Sequence, residues 1–228
     1  MSCRGRCGFL SFALLGVAGA ALAQGSGPVI VDLSRLSANL EPDFTLWRTG
    51  EGEAGKWTIV ADPTAVNGRA LGQLSDDRTD YRFPLAIYKP YSGKDLELSV
   101  RFKAVAGTVD EAGGIVLRLS TPDDYYVARA NALEDNVRFY RVVKGRREQL
   151  AGADLKVSAN QWHMLTLRAE GERFTVSFDG NALFSAQDGT FRDAGKVALW
   201  TKADSVTYFD TISITSLDKS GRSHGLQH

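Results

Sequence analysis

The feature that most restricts this chain is a period of two in its apolar residues. From Asp95 to Val105, Leu96, Leu98, Val100, Phe102 and Ala104 alternate with Glu97, Ser99, Arg101 and Lys103. That is the pattern of a strand with one buried and one wet face. Similar runs predict strands over 114–120, 125–131, 136–143, 163–169, 173–178, 196–201 and 206–215, with earlier ones at 44–48, 57–61, 70–74 and 81–88. Turn chemistry separates them. Asp179-Gly180 is a tight-hairpin pair, because glycine accepts the positive φ such turns need. Lys144-Gly145 and Gly171 mark further hairpin tips, and Thr121-Pro122-Asp123 a turn. Only 33–40 and 151–155 suggest short helices. About a dozen short, evenly spaced strands predict an all-β jelly-roll β-sandwich of two curved antiparallel sheets.

The N-terminus follows a different rule. Arg4 and Arg6 precede an apolar run from Phe9 to Leu22, and Ala21-Leu22-Ala23 ends it. A basic start, a short apolar core and an A-x-A site predict a signal peptide over residues 1–23. The expected organisation is then a single sandwich domain over 24–218 and a flexible tail over 219–228. The protein would be exported, periplasmic or extracellular, with no membrane association after cleavage. Cys3 and Cys7 both fall in the signal, so the remaining chain has no thiol or disulfide chemistry. Its side-chain charge is also nearly balanced, at 25 Lys+Arg against 27 Asp+Glu once Arg4 and Arg6 are removed. That balance argues against nucleic acid, whose binding draws most of its affinity from basic residues.

Few residues offer catalytic chemistry. Histidine occurs at His163, His224 and His228, and the last two lie in the tail. His163 reads as a structural histidine at a strand start, and a multi-histidine metal site is not available. The alternating acids that retaining glucanases carry on one strand are missing. Glu134-Asp135 is adjacent, so a strand would send the two side chains to opposite faces. Parity does gather one constellation. With Ile115, Leu117 and Leu119 inward, Arg118 points outward. Tyr125, Arg129 and Asn131 alternate with inward Tyr126, Ala128 and Ala130. Arg138 and Tyr140 alternate with Val137 and Phe139, and Trp200 and Lys202 with Val197 and Leu199. Such a face suits a sugar, since rings cover its C–H face while arginine and asparagine meet its hydroxyls. It equally suits a solvated sheet face held by cross-strand pairs. Asp62, Asp204 and Asp210, at strand ends, are oxygen ligands of the kind a divalent metal such as calcium takes.

Longer motifs carry a resemblance. Gly113-Gly114-Ile115-Val116-Leu117-Arg118, the segment from Tyr125 to Asn136, Gln161-Trp162-His163, Phe178-Asp179-Gly180 and the stretch from Gly195 to Ser205 resemble a group of exported bacterial proteins. That group is similar to the 3-keto-disaccharide hydrolase family, formerly a domain of unknown function, of the concanavalin A-like lectin/glucanase superfamily. The family's Asn-Ser-Gly-Ile-x-x-Arg strand is kept here at Gly114, Ile115 and Arg118, while its Gln-x-x-Asp segment is replaced by Tyr125–Asn136. The resemblance implies a concanavalin A-like fold and cleavage of a 3-keto sugar by elimination and hydration with a metal ion. On that reading Glu134 or Asp204 would be the base and a divalent metal the electrophile; Asp62 and Asp210 are the metal-ligand candidates from their position at strand ends. Arg118, Tyr125, Arg129, Asn131, Arg138, Tyr140, Trp200 and Lys202 would bind the carbohydrate or sugar-derived ligand. The alternatives are a non-catalytic lectin-like module and a structural sandwich of the cell envelope.

Overall fold

The computed structural model describes residues 27–217; the expected signal segment and C-terminal tail lie outside them. One sheet has eight strands. Its path runs β13 (Asn181–Gln187), β12 (Arg173–Phe178), β11 (Trp162–Glu170), β6 (Leu96–Ala106), β15 (Val206–Ser216), β4 (Arg69–Gln73) and β3 (Trp57–Ala61), with β1 (Val29–Asp32) also on β15. The other has seven, in the order β10 (Arg146–Asp154), β9 (Asn136–Val143), β8 (Asp124–Asn131), β7 (Ala112–Thr121), β14 (Gly195–Thr201), β5 (Arg82–Gly93) and β2 (Phe44–Gly50). All pairings are antiparallel, as the sandwich expectation requires.

The expected turns are where the sequence puts them. Asp179 and Gly180 take φ of 48° and 80° between β12 and β13, and Lys144 and Gly145 take 49° and 74° between β9 and β10. The two helical expectations fail. Leu33–Arg35 forms a single 3-10 turn capped by the Asp32 side chain. Residues 151–154 belong to β10, where backbone bonds to the edge of β9 outweigh the weak helical preference of Ala-Gly-Ala.

The eight-stranded sheet obeys the alternation. In β6 every second residue is buried, and Leu98, Val100 and Phe102 join Leu165, Leu167, Phe174 and Ile214 in the core between the sheets. His163 joins them. Its ring stacks on Phe178 at 4.8 Å, with Nδ1 at 2.7 Å from Asp179 and Nε2 at 3.1 Å from the Ser158 carbonyl. It is a packed structural residue.

The central strands of the seven-stranded sheet, β8, β7 and β14, are buried on both faces. The far side of this sheet carries a second apolar layer of Phe83, Leu85, Val116, Tyr125, Val127, Tyr140, Val142 and Trp200, among others. Curvature explains this. Tyr125 on β8 and Thr49 on β2 lie four strands apart, about 19 Å on a flat sheet at ordinary strand spacing. Their hydroxyls are nevertheless 3.0 Å apart. The sheet therefore curls until one pair of diagonal corners meets over its own concave face.

Two buried arginines close the ends of the sandwich. Arg82, fully buried, donates to the carbonyls of Glu53, Ala54 and Ala203 and to the Ser75 hydroxyl. Asp77 lies 3.4 Å from its Nε and accepts from the amides of Glu53 and Thr79. Those amides, then the Thr79 hydroxyl, hold the Asp77 carboxyl down at about 2. Its folded pKa is thus below the unfolded value of about 3.9. The stabilisation is complete above that value and is lost as pH falls towards 2. Thermal melts from pH 5 to 2 should show a steeper decline for the wild type than for Asp77→Asn; equal slopes would remove Asp77 as a source of acid sensitivity.

Candidate functional site

Adjacent strands carry one continuous row across the concave face. Its register runs Gly152, Arg138, Arg129, Gly114, Trp200, Leu85 and Trp47. Gly114 is required there. A Cβ would stand 2.9 Å from the Trp200 ring and 3.1 Å from Arg129 Cβ, so glycine lets those two side chains close over the strand between them. Trp200 stacks on Phe83 with centroids 5.4 Å apart and planes 16° off parallel.

Parity placed Tyr125, Arg129, Asn131, Arg138, Tyr140, Trp200 and Lys202 on one face, and the structure brings them to the concave side. It does not leave them open. Trp200, Tyr125 and Asn131 are fully buried, and Tyr140 and Arg129 nearly so. Burial pushes the Tyr125 hydroxyl up to about 12, against its hydrogen bond with the Thr49 hydroxyl. The expected exposed stacking platform is instead a packed floor. Beside it lies a polar network. Arg129 donates to Glu134 at 2.8 Å, to Asn136 and to the Tyr140 hydroxyl at 3.3 Å. Asn131 donates to Asp110 at 3.0 Å and accepts from the amides of Leu133 and Glu134. Lys202 pairs with Asp110 and Asp80, and Arg138 with Asp154.

Arg118 does not belong to this face. It sits at a bulge with φ of 50°, which shifts the register by one side. Leu119 then joins the concave layer while the Arg118 guanidinium lies 5.1 Å from Phe174 in the inter-sheet core. There it donates to the carbonyls of Lys94, Phe191 and Gly171 and pairs with Asp95. It holds three loops together at one end of the sandwich.

The acids considered for chemistry are committed elsewhere. Asp204 accepts from the Thr108 amide and hydroxyl and from the amides of Val109 and Asp110. Burial would raise its pKa, but these bonds, led by the Thr108 hydroxyl, leave it below the usual value. Glu134 is likewise lowered, with burial outweighed by the charge of Arg129 and the bond from Asn136. A carboxylate held ionised by such partners is a poor proton acceptor. Asp62 bonds Lys103 and Thr64, while Asp210 bonds Arg101 and the Val66 amide, both on the outer side of the other sheet. A cation would have to displace a lysine or an arginine. Among the described residues no three acidic, histidine or cysteine side chains converge on a metal-sized site.

Open space lies in a hollow of about 380 Å³ lined by Glu41, Phe44, Thr45, Leu46 and Lys89 and, separately, at the β9–β10 hairpin, whose Lys144-Gly145 tip the sequence marks only as a turn. A cleft of about 720 Å³ is lined by Arg141, Lys144, Arg146, Arg147, Glu148 and Thr190. A second, of about 350 Å³, lies on the other side of the hairpin tip against Tyr81, Glu51 and Asp123. Both volumes fall in the range of ordinary ligand sites. Tyr81 pins the hairpin by donating to the Gly145 carbonyl and accepting from the Arg147 amide. Arg147 roofs the aromatic floor. Its guanidinium carbon stands 4.4 Å from the Tyr140 ring, 5.0 Å from Phe83 and 6.0 Å from Trp200. The available signal was Arg146-Arg147 directly after Lys144-Gly145, basic residues clustered at a hairpin tip and the first positions of the strand that leaves it.

Residues 87–217, more than half of the chain, match the model of the galactocerebrosidase C-terminal lectin domain family. The chain belongs to this family. As a member of the lectin-domain family it also shares its fold with solved structures. Carbohydrate-binding module CBM66 from Bacillus subtilis is 21% identical with a TM-score of 0.60, over 74% of this chain and 95% of that one. The GH16 protein of a Bacteroides ovatus mixed-linkage glucan locus, in complex with a product, is 12% identical with a TM-score of 0.59, over 82% and 99%. The Bacillus licheniformis beta-glucanase is 13% identical with a TM-score of 0.55, over 85% and 100%. At these identities the likeness is one of fold, the jelly-roll sandwich expected from the strand pattern. No curated protein matches the chain. The segment matching the lectin-domain family contains the β9–β10 hairpin, whereas Tyr81, which pins that hairpin, and Thr49, which bonds Tyr125 on β8, come from outside it.

Proposed function

We propose that this lectin-domain family member is an exported, non-catalytic carbohydrate-binding protein that engages sugar at the hairpin end of its concave face. One observation carries the preference for binding over catalysis. The concave-facing positions on the three central strands are Trp200 and Ala198, then Ala112, Gly114, Val116 and Leu119, and then Tyr125, Val127, Arg129 and Asn131. None is a carboxylate. A glycosidase of the common type needs two carboxyl groups flanking the scissile bond, and a keto-glycoside lyase needs a free base. Glu134 and Asp204, the candidates for that base, are tied to Arg129 and to the 108–110 loop. The arginine fork at the hairpin supplies hydroxyl-binding donors without either requirement.

The test is a panel of neutral and acidic glycans and 3-keto-glycosides, with binding and product release read on the same samples. Binding to at least one glycan without turnover is expected. Turnover of a 3-keto-glycoside, reduced in Glu134→Gln, would instead establish the enzymatic reading. Absence of binding to any sugar would remove both.

A further inference from the structure

Resting on the carbohydrate-binding reading, we propose that the sugar recognised at the larger cleft is acidic, carrying a carboxylate or sulfate group that is seated by Arg147, Arg146 and Lys144. Charge bookkeeping around the hairpin leads there. Arg141 is already compensated, pairing with Glu148 and Asp188 at 2.8 Å each. Lys144, Arg146 and Arg147 have no carboxylate partner among the described residues. Arg147 Nη1 is buried with no hydrogen-bond acceptor. A guanidinium held over three aromatic rings with a buried nitrogen lacking an acceptor is costly unless an anion completes the site. The larger cleft is lined by four basic side chains against Glu148 alone. The smaller one sets Glu51 and Asp123 against Lys144 and Arg146, so it has no net charge and suits the neutral part of the same ligand. A planar guanidinium matches carboxylate or sulfate oxygens in a two-point fork, which a neutral hydroxyl pair does not exploit as fully.

Matched glycan pairs separate the acid from the sugar. Polygalacturonate would be compared with its carboxyl-reduced form, and a sulfated galactan with its desulfated form, with inorganic polyphosphate as a sugar-free polyanion. At least one acidic member should bind about tenfold or more tightly than its neutral partner, the pair that does so naming carboxylate or sulfate. That preference should fall about fivefold in Lys144→Ala/Arg146→Ala, whose exposed side chains leave folding intact. It should also weaken as salt rises from about 0.05 M to about 0.5 M. Equal binding of acidic and neutral partners, unaffected by the double substitution, would overturn the acidic ligand while leaving the lectin reading in place. Polyphosphate binding as tight as the acidic glycan would also overturn it, since no sugar would then be read. Failure of every glycan would count against carbohydrate binding itself.

Discussion

Replacing Trp200 by alanine should lower the folding free energy by about 3–5 kcal/mol, the usual cost of deleting a large buried ring. Trp200 is fully buried on the concave side, stacked on Phe83 and beneath the Arg147 guanidinium. Its loss leaves a cavity between Gly114, which has no side chain to fill it, and Phe83. The sheet is already curled around this layer, so collapse would require the diagonal contact between Thr49 and Tyr125 to shift. Urea unfolding measures the effect. A Trp200→Phe variant should retain most of the stability, because it preserves the ring stack. A loss below about 1 kcal/mol for alanine would mean that Trp200 is exposed, as a sugar-stacking residue would be.

Arg118→Ala should be comparably damaging, at about 3–5 kcal/mol. The substitution strips the donors from three carbonyls, those of Lys94, Phe191 and Gly171, and removes the guanidinium paired with Asp95. Each carbonyl left buried without a donor costs about 1–3 kcal/mol, reduced where water can enter. Lysine should recover only part, since a single ammonium cannot reproduce the fork that reaches three loops. Glycan binding per folded molecule should be unchanged, because Arg118 is on the core side of its strand. A variant of normal stability with lost binding would return Arg118 to the ligand site.

The sandwich was legible because period-two alternation reports directly which face of a strand is buried. Asp95 to Val105 shows it, and β6 follows the pattern residue by residue. Parity also assigned Tyr125, Arg129, Tyr140 and Trp200 to one face correctly. It could not report that the face is closed, because closure depends on β2 and β8 meeting across four strands. Nor could it see the bulge at Arg118, where one residue in a left-handed conformation reverses the parity of everything after it. The segments at 83–87 and 125–131 held a clue to double burial in their nearly continuous apolar and small residues. The hairpin cations escaped notice for a different reason. Only the Lys144-Gly145 tip is marked in the sequence, and Arg146 and Arg147 gain their setting when Tyr81 and the curled sheet carry that tip over the aromatic floor.

The central claim is that sugar is held at this hairpin, and Arg147 tests it most directly. For whichever glycan in the panel binds most tightly, titration calorimetry on the wild type and Arg147→Ala, with melting curves to confirm folding, gives the answer. Loss of the charged fork should weaken binding about tenfold or more, with Arg147→Lys between the two. Undiminished affinity in a folded Arg147→Ala protein would place the sugar elsewhere and contradict the account.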